Sequence, residues 1–118
     1  MASIVTALPE TGHLEIDIKV RAEMKFSARA ARQKVNHFVL SEISYMMHAG
    51  EPALVVDRQI RWRVPVILSL TSKGDVGEVG SIDVDVETGH LLVNPRLVME
   101  IEARAQDLAT RAPHPAGE

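Results

Sequence analysis

The stretch GSIDVDVETGHLL, residues 80–92, decides the fold. Ile82, Val84 and Val86 alternate with Asp83, Asp85 and Glu87. Successive side chains of a strand point to opposite faces, so the segment reads as a half-buried β-strand with its aliphatic side inward and its acids toward water. VETGH, residues 86–90, then fits a type I turn closed by Gly89 in the left-handed region, and HLLV, residues 90–93, returns as another strand.

Toward the N-terminus, ALVVD at 53–57 leads through a short turn into IRWRVPVILSLT at 60–71. The inward face of the second segment is Ile60, Trp62, Val64, Val66, Leu68 and Leu70. Pro65 has no amide proton to donate to a ladder, which predicts an edge or a bulge there. TSKGD at 71–75 reverses the chain into VGEVGSIDVDV at 76–86, where Gly77 and Gly80 predict a bulge or a sharp bend. A β-meander results.

Two helices flank it. Ser27 is a candidate N-cap, and Val35, Phe38, Val39, Ile43, Met46 and Met47 recur at helical spacing, which predicts a helix from Ala28 to about His48 stopped by Gly50 and Pro52. Asn94 and Pro95 open the second, whose stripe is Leu97, Ile101, Ala105 and Leu108 and which fades near Arg111. Before the first helix, residues 13–26 alternate with period two, Leu14 through Phe26, and predict a first strand. Residues 1–12 read as a flexible N-terminus, 13–111 as one α+β domain, and 112–118 as a disordered tail. The expected architecture is a two-layer sandwich: an antiparallel sheet of about five strands, the long helix across one face, and a C-terminal helix docked near it.

Composition excludes several function classes. The chain has 118 residues, enough for one core. Its hydrophobic fraction of 46% and charged fraction of 25% are those of an ordinary globular domain rather than a disordered chain. There is no cysteine, so disulfides, thiolate metal sites and thiol nucleophiles are ruled out. The opening MASIVTALPETGH lacks the basic and apolar segments of a secretion signal, and the longest apolar run is VPVILSL, which leads us to expect a cytoplasmic protein with no membrane span. Charge is segregated: residues 19–34 carry six basic side chains against Glu23, and residues 75–118 carry nine acids against three arginines. Such a molecule can steer a charged partner or pair with itself.

No motif carries chemistry. Asp83, Asp85 and Glu87 sit on one face of a strand opposite Arg61 and Arg63, where cross-strand charge pairs satisfy the pattern; calcium-loop spacing is not matched. His13, His37, His48, His90 and His114 form no ligand pair, and His37 and His48, eleven residues apart on the expected helix, are too distant to share an ion. No serine lies in a nucleophile elbow, and no phosphate-binding glycine loop is present. No cofactor or metal is expected. Trp62, the only tryptophan, reads as a core anchor or an interface anchor. Arg29, Arg32 and Lys34 could touch nucleic acid, but an aromatic content of 3% speaks against base stacking.

The order of the long helix, then Trp62, Val64 and Val66, then Val84, Asp85, Thr88, Gly89 and Leu91, resembles a PepSY-type domain over residues 28–93. The resemblance implies a small non-enzymatic module of the kind found in inhibitory propeptides and protein-binding regions; the extra first strand and second helix depart from it. The expected function is a non-enzymatic cytoplasmic protein-binding module, homodimeric, contacting partners through Arg61, Trp62 and Arg63 on a possible edge and through His37 and Tyr45 on the helix. Two alternatives stand beside it. One is an antitoxin-like or regulatory factor that binds a toxic or enzymatic partner, with nucleic acid at Arg29, Arg32 and Lys34. The other is a small metal-dependent enzyme using the acids of residues 83–87.

Overall fold

Eight elements occur in the computed structural model, which describes residues 4–5 and 19–111: β1 (Ile4–Val5), α1 (Ala28–Glu42), β2 (Met47–Ala49), β3 (Ala53–Val56), β4 (Ile60–Leu70), β5 (Gly74–Asp85), β6 (Leu91–Leu92) and α2 (Pro95–Arg111). The antiparallel sheet runs β1-β3-β4-β5-β6, with β2 pairing on β4 beside β3. One buried cluster joins Ala31, Val35 and Val39 of α1, Ile101 and Ala105 of α2, and Val64, Val66, Leu68, Val79, Ile82 and Val84 of the sheet. Both helices therefore share one face of the sheet, giving the expected α+β two-layer architecture.

The segment 53–111 follows the expected order closely, whereas the N-terminal third departs from it. Ser27 caps α1 as expected, its Oγ accepting from Ala30 N at 3.1 Å. The helix then stops at Glu42, not at His48. Ile43 N and Ser44 N both donate to Val39 O, and Ser44 Oγ accepts from Met46 N at 3.0 Å, so the serine turns the chain. Met47 and Ala49, buried on either side of half-buried His48, then follow a period of two as strand β2. Residues 19–26 carry no strand, and 13–18 lie outside the described residues, as does the tail 112–118. Ile4–Val5, in the stretch expected to be flexible, pairs with Val55–Val56.

Pro65 is not at an edge, because β4 is interior, with β5 on one side and β2 and β3 on the other. Its missing donor is accommodated differently. Gly50 N donates to Pro65 O at 2.8 Å, and the proline, unable to reciprocate, lies opposite the break between β2 and β3.

The bulges expected near Gly77 and Gly80 lie in β5. Between Val66 and Ile67, and again between Leu68 and Ser69, β5 advances two residues for one of β4, leaving Val79 and Val76 unopposed. Strict alternation inward from Val86, Val84 and Ile82 would put Glu78 in the core; the bulge substitutes Val79, which is 1% exposed. Gly80 adopts φ +156°, and an added Cβ there would lie 2.7 Å from Ile101 Cγ1 of α2. Gly80→Ala is expected to cost about 1–3 kcal/mol through strain and overpacking against α2, measured by urea denaturation; an unchanged midpoint would mean that α2 does not seat against this glycine.

Candidate functional site

On the sheet face turned away from the helices, charged side chains of β4 and β5 meet. Asp83 accepts from Arg63 Nε at 3.0 Å and from Arg63 Nη2 at 3.1 Å, while Arg61 Nε reaches it diagonally at 2.7 Å. Arg61 Nη1 also donates to Asp57 Oδ1 at 2.9 Å. The cross-strand ladder is thus the expected one, but it is not wet: the side chains of Arg61, Asp57 and Asp83 are only 14%, 16% and 15% exposed. Val55, opposite Arg61 on the same face, is fully buried. Hydrogen bonds from Arg61 to Asp57 and from Arg63 to Asp83 hold both guanidinium pKa values above their ordinary one, so both stay charged.

The other two acids of the strand do different work. Asp85 Oδ1 accepts from Glu87 N at 2.7 Å and Thr88 N at 3.0 Å, Thr88 Oγ1 accepts from His90 N, and Gly89 has φ +74°. The Val-Asp-x-x-Thr-Gly pattern is therefore a side-chain-capped turn. Glu87 is exposed in that turn and accepts from Glu23 N. Asp83, Asp85 and Glu87 do not converge, and among the described residues no three His, Asp or Glu side chains are placed to hold an ion.

Asp85 offers a pH test. A hydrogen bond from Gln59, then the Thr88 amide, holds its carboxyl below the ordinary value. A lowered folded pKa gives stability that is present above about pH 4 and lost as pH falls through the lowered value. Asp85→Asn keeps the turn acceptor but removes the charge, so stability should fall less steeply than wild type from pH 5 to pH 2. Denaturation curves across that window check it, and parallel slopes would contradict it.

His48 Nε2 lies 3.0 Å from Asp75 Oδ1, and Ser69 Oγ donates to the same oxygen. In a nucleophilic triad the histidine stands between serine and acid; here the aspartate stands between, and all three groups are surface polar contacts. The Ser69 hydroxyl and then His48 hold the Asp75 carboxyl below its ordinary value. His37 stays on α1, so the two histidines do not share a helix stripe as expected.

The five expected partner-contact residues do not form one surface. Arg61 and Arg63 belong to the ladder on an interior strand, and Trp62 faces the opposite way, packed on the core with its Nε1 donating to Phe26 O at 2.8 Å. Tyr45, 82% exposed, lies in the turn after α1, and His37 is exposed on that helix. The nucleic-acid candidates are similarly divided. Arg32 donates to Ala49 O and pairs with Glu51 at 3.2 Å, Lys34 Nζ sits 5.3 Å from the Phe26 ring centre, and Arg29 is exposed. With Asn36 Oδ1 accepting from Ala49 N, Arg32 covers the outer edge of β2.

What the structure does bring together is apolar. A groove of about 610 Å³ runs beside α1, lined by Phe26, Lys34, His37, Phe38, Glu42 and Leu91 among others. A second opening of about 470 Å³ shares Phe38 and Glu42 with it and is otherwise lined by Val93, Asn94, Pro95, Val98 and Met99. Met99 is 67% exposed. Comparison of the chain with family models, curated proteins and solved structures finds no match.

The groove escaped the sequence reading for a physical reason. Phe38 fits the core stripe of α1, and Leu91 and Val93 fit a buried strand; only the packing of α1 beside β6 leaves their outer sides uncovered. The available signal was Met99, an apolar side chain on the side of α2 away from the Leu97–Ile101–Ala105–Leu108 stripe, with Val98 at the margin of that stripe. Among the described residues, no helix is long and apolar enough to cross a membrane.

Proposed function

We propose that this chain is a non-enzymatic protein-binding module, and that its docking surface is the groove between α1, β6 and the first turns of α2. The observation that carries the reading is the apolar lining of Phe26, Phe38, Leu91, Val93, Val98 and Met99 in two neighbouring openings that share Phe38. The polar clusters argue for the same assignment, because each is consumed within the fold: Asp83 by two arginines, Asp85 by a turn, Asp75 by Ser69 and His48. The likeness of the helix, strand and VDVETG turn (residues 84–89) to PepSY-type domains points the same way. Self-pairing through a β4 edge does not enter the reading, since β2 and β3 occupy that side.

Selection of random 12-residue displayed peptides on the immobilised protein tests the proposal. Enriched sequences should bind wild type and lose at least tenfold in affinity on Met99→Glu, a change at an exposed position that leaves the core intact. No enrichment, or equal binding to Met99→Glu, would refute it.

A further inference from the structure

The groove has a shape and a charge order that select among protein ligands. Resting on the binding-module reading above, we propose that its occupant is an amphipathic helix of a partner protein, about three turns long, carrying an acidic side chain for Lys34 and His37 and a basic one for Glu42.

Length comes first. The wall contributed by α1 extends from Ala30 to Glu42, twelve residues on, or about 18 Å at the helical rise. Three turns of a partner helix cover that distance. The apolar lining from Phe26 to Met99 would receive anchors spaced i, i+3 or i+4, and i+7.

Backbone chemistry favours a helix over an added strand. Among the described residues the sheet edge at the groove is β6, two residues long, and Pro95 follows soon after. An extended peptide could make few ladder bonds there and would leave its remaining amides against apolar side chains. A helix satisfies its own backbone. The longer free stretch of β5, away from the groove, carries two bulges and exposed Glu78, features that discourage strand addition.

Charge fixes the pattern. Among the described residues His37 and Glu42 have no hydrogen-bond or ion-pair partner, and Lys34 touches only the Phe26 ring. Glu42 follows Lys34 by eight residues and the imidazole of His37 by five, so the ammonium and carboxylate of the rim stand about 12 Å apart along α1, with the His37 ring between them. A partner helix would match them with an acid and a base separated by five to eight residues. Rim pairs of this kind contribute selectivity more than affinity.

Three fluorescein-labelled 14-residue peptides test the proposal by anisotropy. The first has leucines at helical spacing with one Glu and one Lys seven residues apart. The second is identical except for a central proline, and the third replaces both charges with Gln. The first should bind at least tenfold tighter than the second and about threefold tighter than the third, and the gap between first and third should close on the Lys34→Gln, Glu42→Gln protein. Equal binding of the first two, or a charge gap that survives in that protein, overturns the helix assignment. If binding is equal but lost on Met99→Glu, the binding-module reading survives alone; binding indifferent to Met99→Glu removes both. A dimer of the chain that Met99→Glu dissociates would place a second copy in the groove and overturn the partner-helix proposal.

Discussion

Replacing Gly89 with alanine is expected to destabilise the protein by about 3 kcal/mol, the sum of a left-handed conformation forced on a residue with a Cβ, about 1–2 kcal/mol, and of overpacking, about 1–3 kcal/mol. Gly89 has φ +74°, and a Cβ there would lie within 2.6 Å of Phe26 Cε1 and 2.8 Å of Cε2. The ring cannot simply withdraw. Phe26 N donates to Val86 O, and Phe26 O receives the Trp62 indole, so the residue is tied to the turn before Gly89 and to β4. Its position also sets the start of α1, since Ser27 is the cap. Damage at residue 89 should therefore reach the groove, which Phe26 lines. Urea denaturation of Gly89→Ala, Phe26→Ala and the double variant checks the account. Because the collision needs both side chains, the double variant should be less destabilised than the two single losses added together. Additive losses, or a Gly89→Ala cost below about 1 kcal/mol, would show that ring and glycine do not oppose each other.

The same small region marks the boundary of what sequence alone could convey. From Ala53 to Arg111 local and tertiary preferences agree: period two in β3 to β5, a glycine-closed turn, and an Asn-Pro helix start all match the elements found. Even the bulges were legible, because glycines in an otherwise apolar strand have few other uses. Between Ile43 and Ala49 the pattern is ambiguous. Met46 and Met47 satisfy helical spacing from Val39, yet Met47 and Ala49 equally satisfy a strand, and the choice is made by a partner, the 66–68 segment of β4, far away in sequence. Pro65 shows a related limit: proline forbids a ladder bond, which sequence assigns to an edge or a bulge; a register shift does follow at Val66–Ile67, but the missing bond itself falls inside the sheet, where the neighbouring edge is interrupted at Gly50 to Pro52. The candidate site was the least legible part. Alternation assigns faces, and it correctly set Arg61 and Arg63 against Asp83, but it does not say how enclosed a face is or which apolar residues stay uncovered.

Asp83→Ala is expected to cost about 2–3 kcal/mol, far more than the 0–1 kcal/mol typical of an exposed pair. The decisive quantity is enclosure. Arg61 is 14% exposed and permanently charged, so losing Asp83 strips one of its two carboxylate partners where water cannot fully replace it. Arg63, 40% exposed, can rehydrate, so most of the cost should trace to Arg61. Two comparisons isolate the mechanism. Raising NaCl to 1 M should leave the cost largely intact, since enclosed pairs are screened much less than surface pairs. Pairing Asp83→Leu with Arg61→Met should cost less than Asp83→Leu alone, because no enclosed guanidinium is then left without its Asp83 partner. Asp57 tempers that rescue: it would then lack Arg61 while itself 16% exposed, so the recovery should be partial. A double variant no more stable than Asp83→Leu would mean that the carboxylate acts by holding the register of β4 against β5 rather than by compensating the guanidinium.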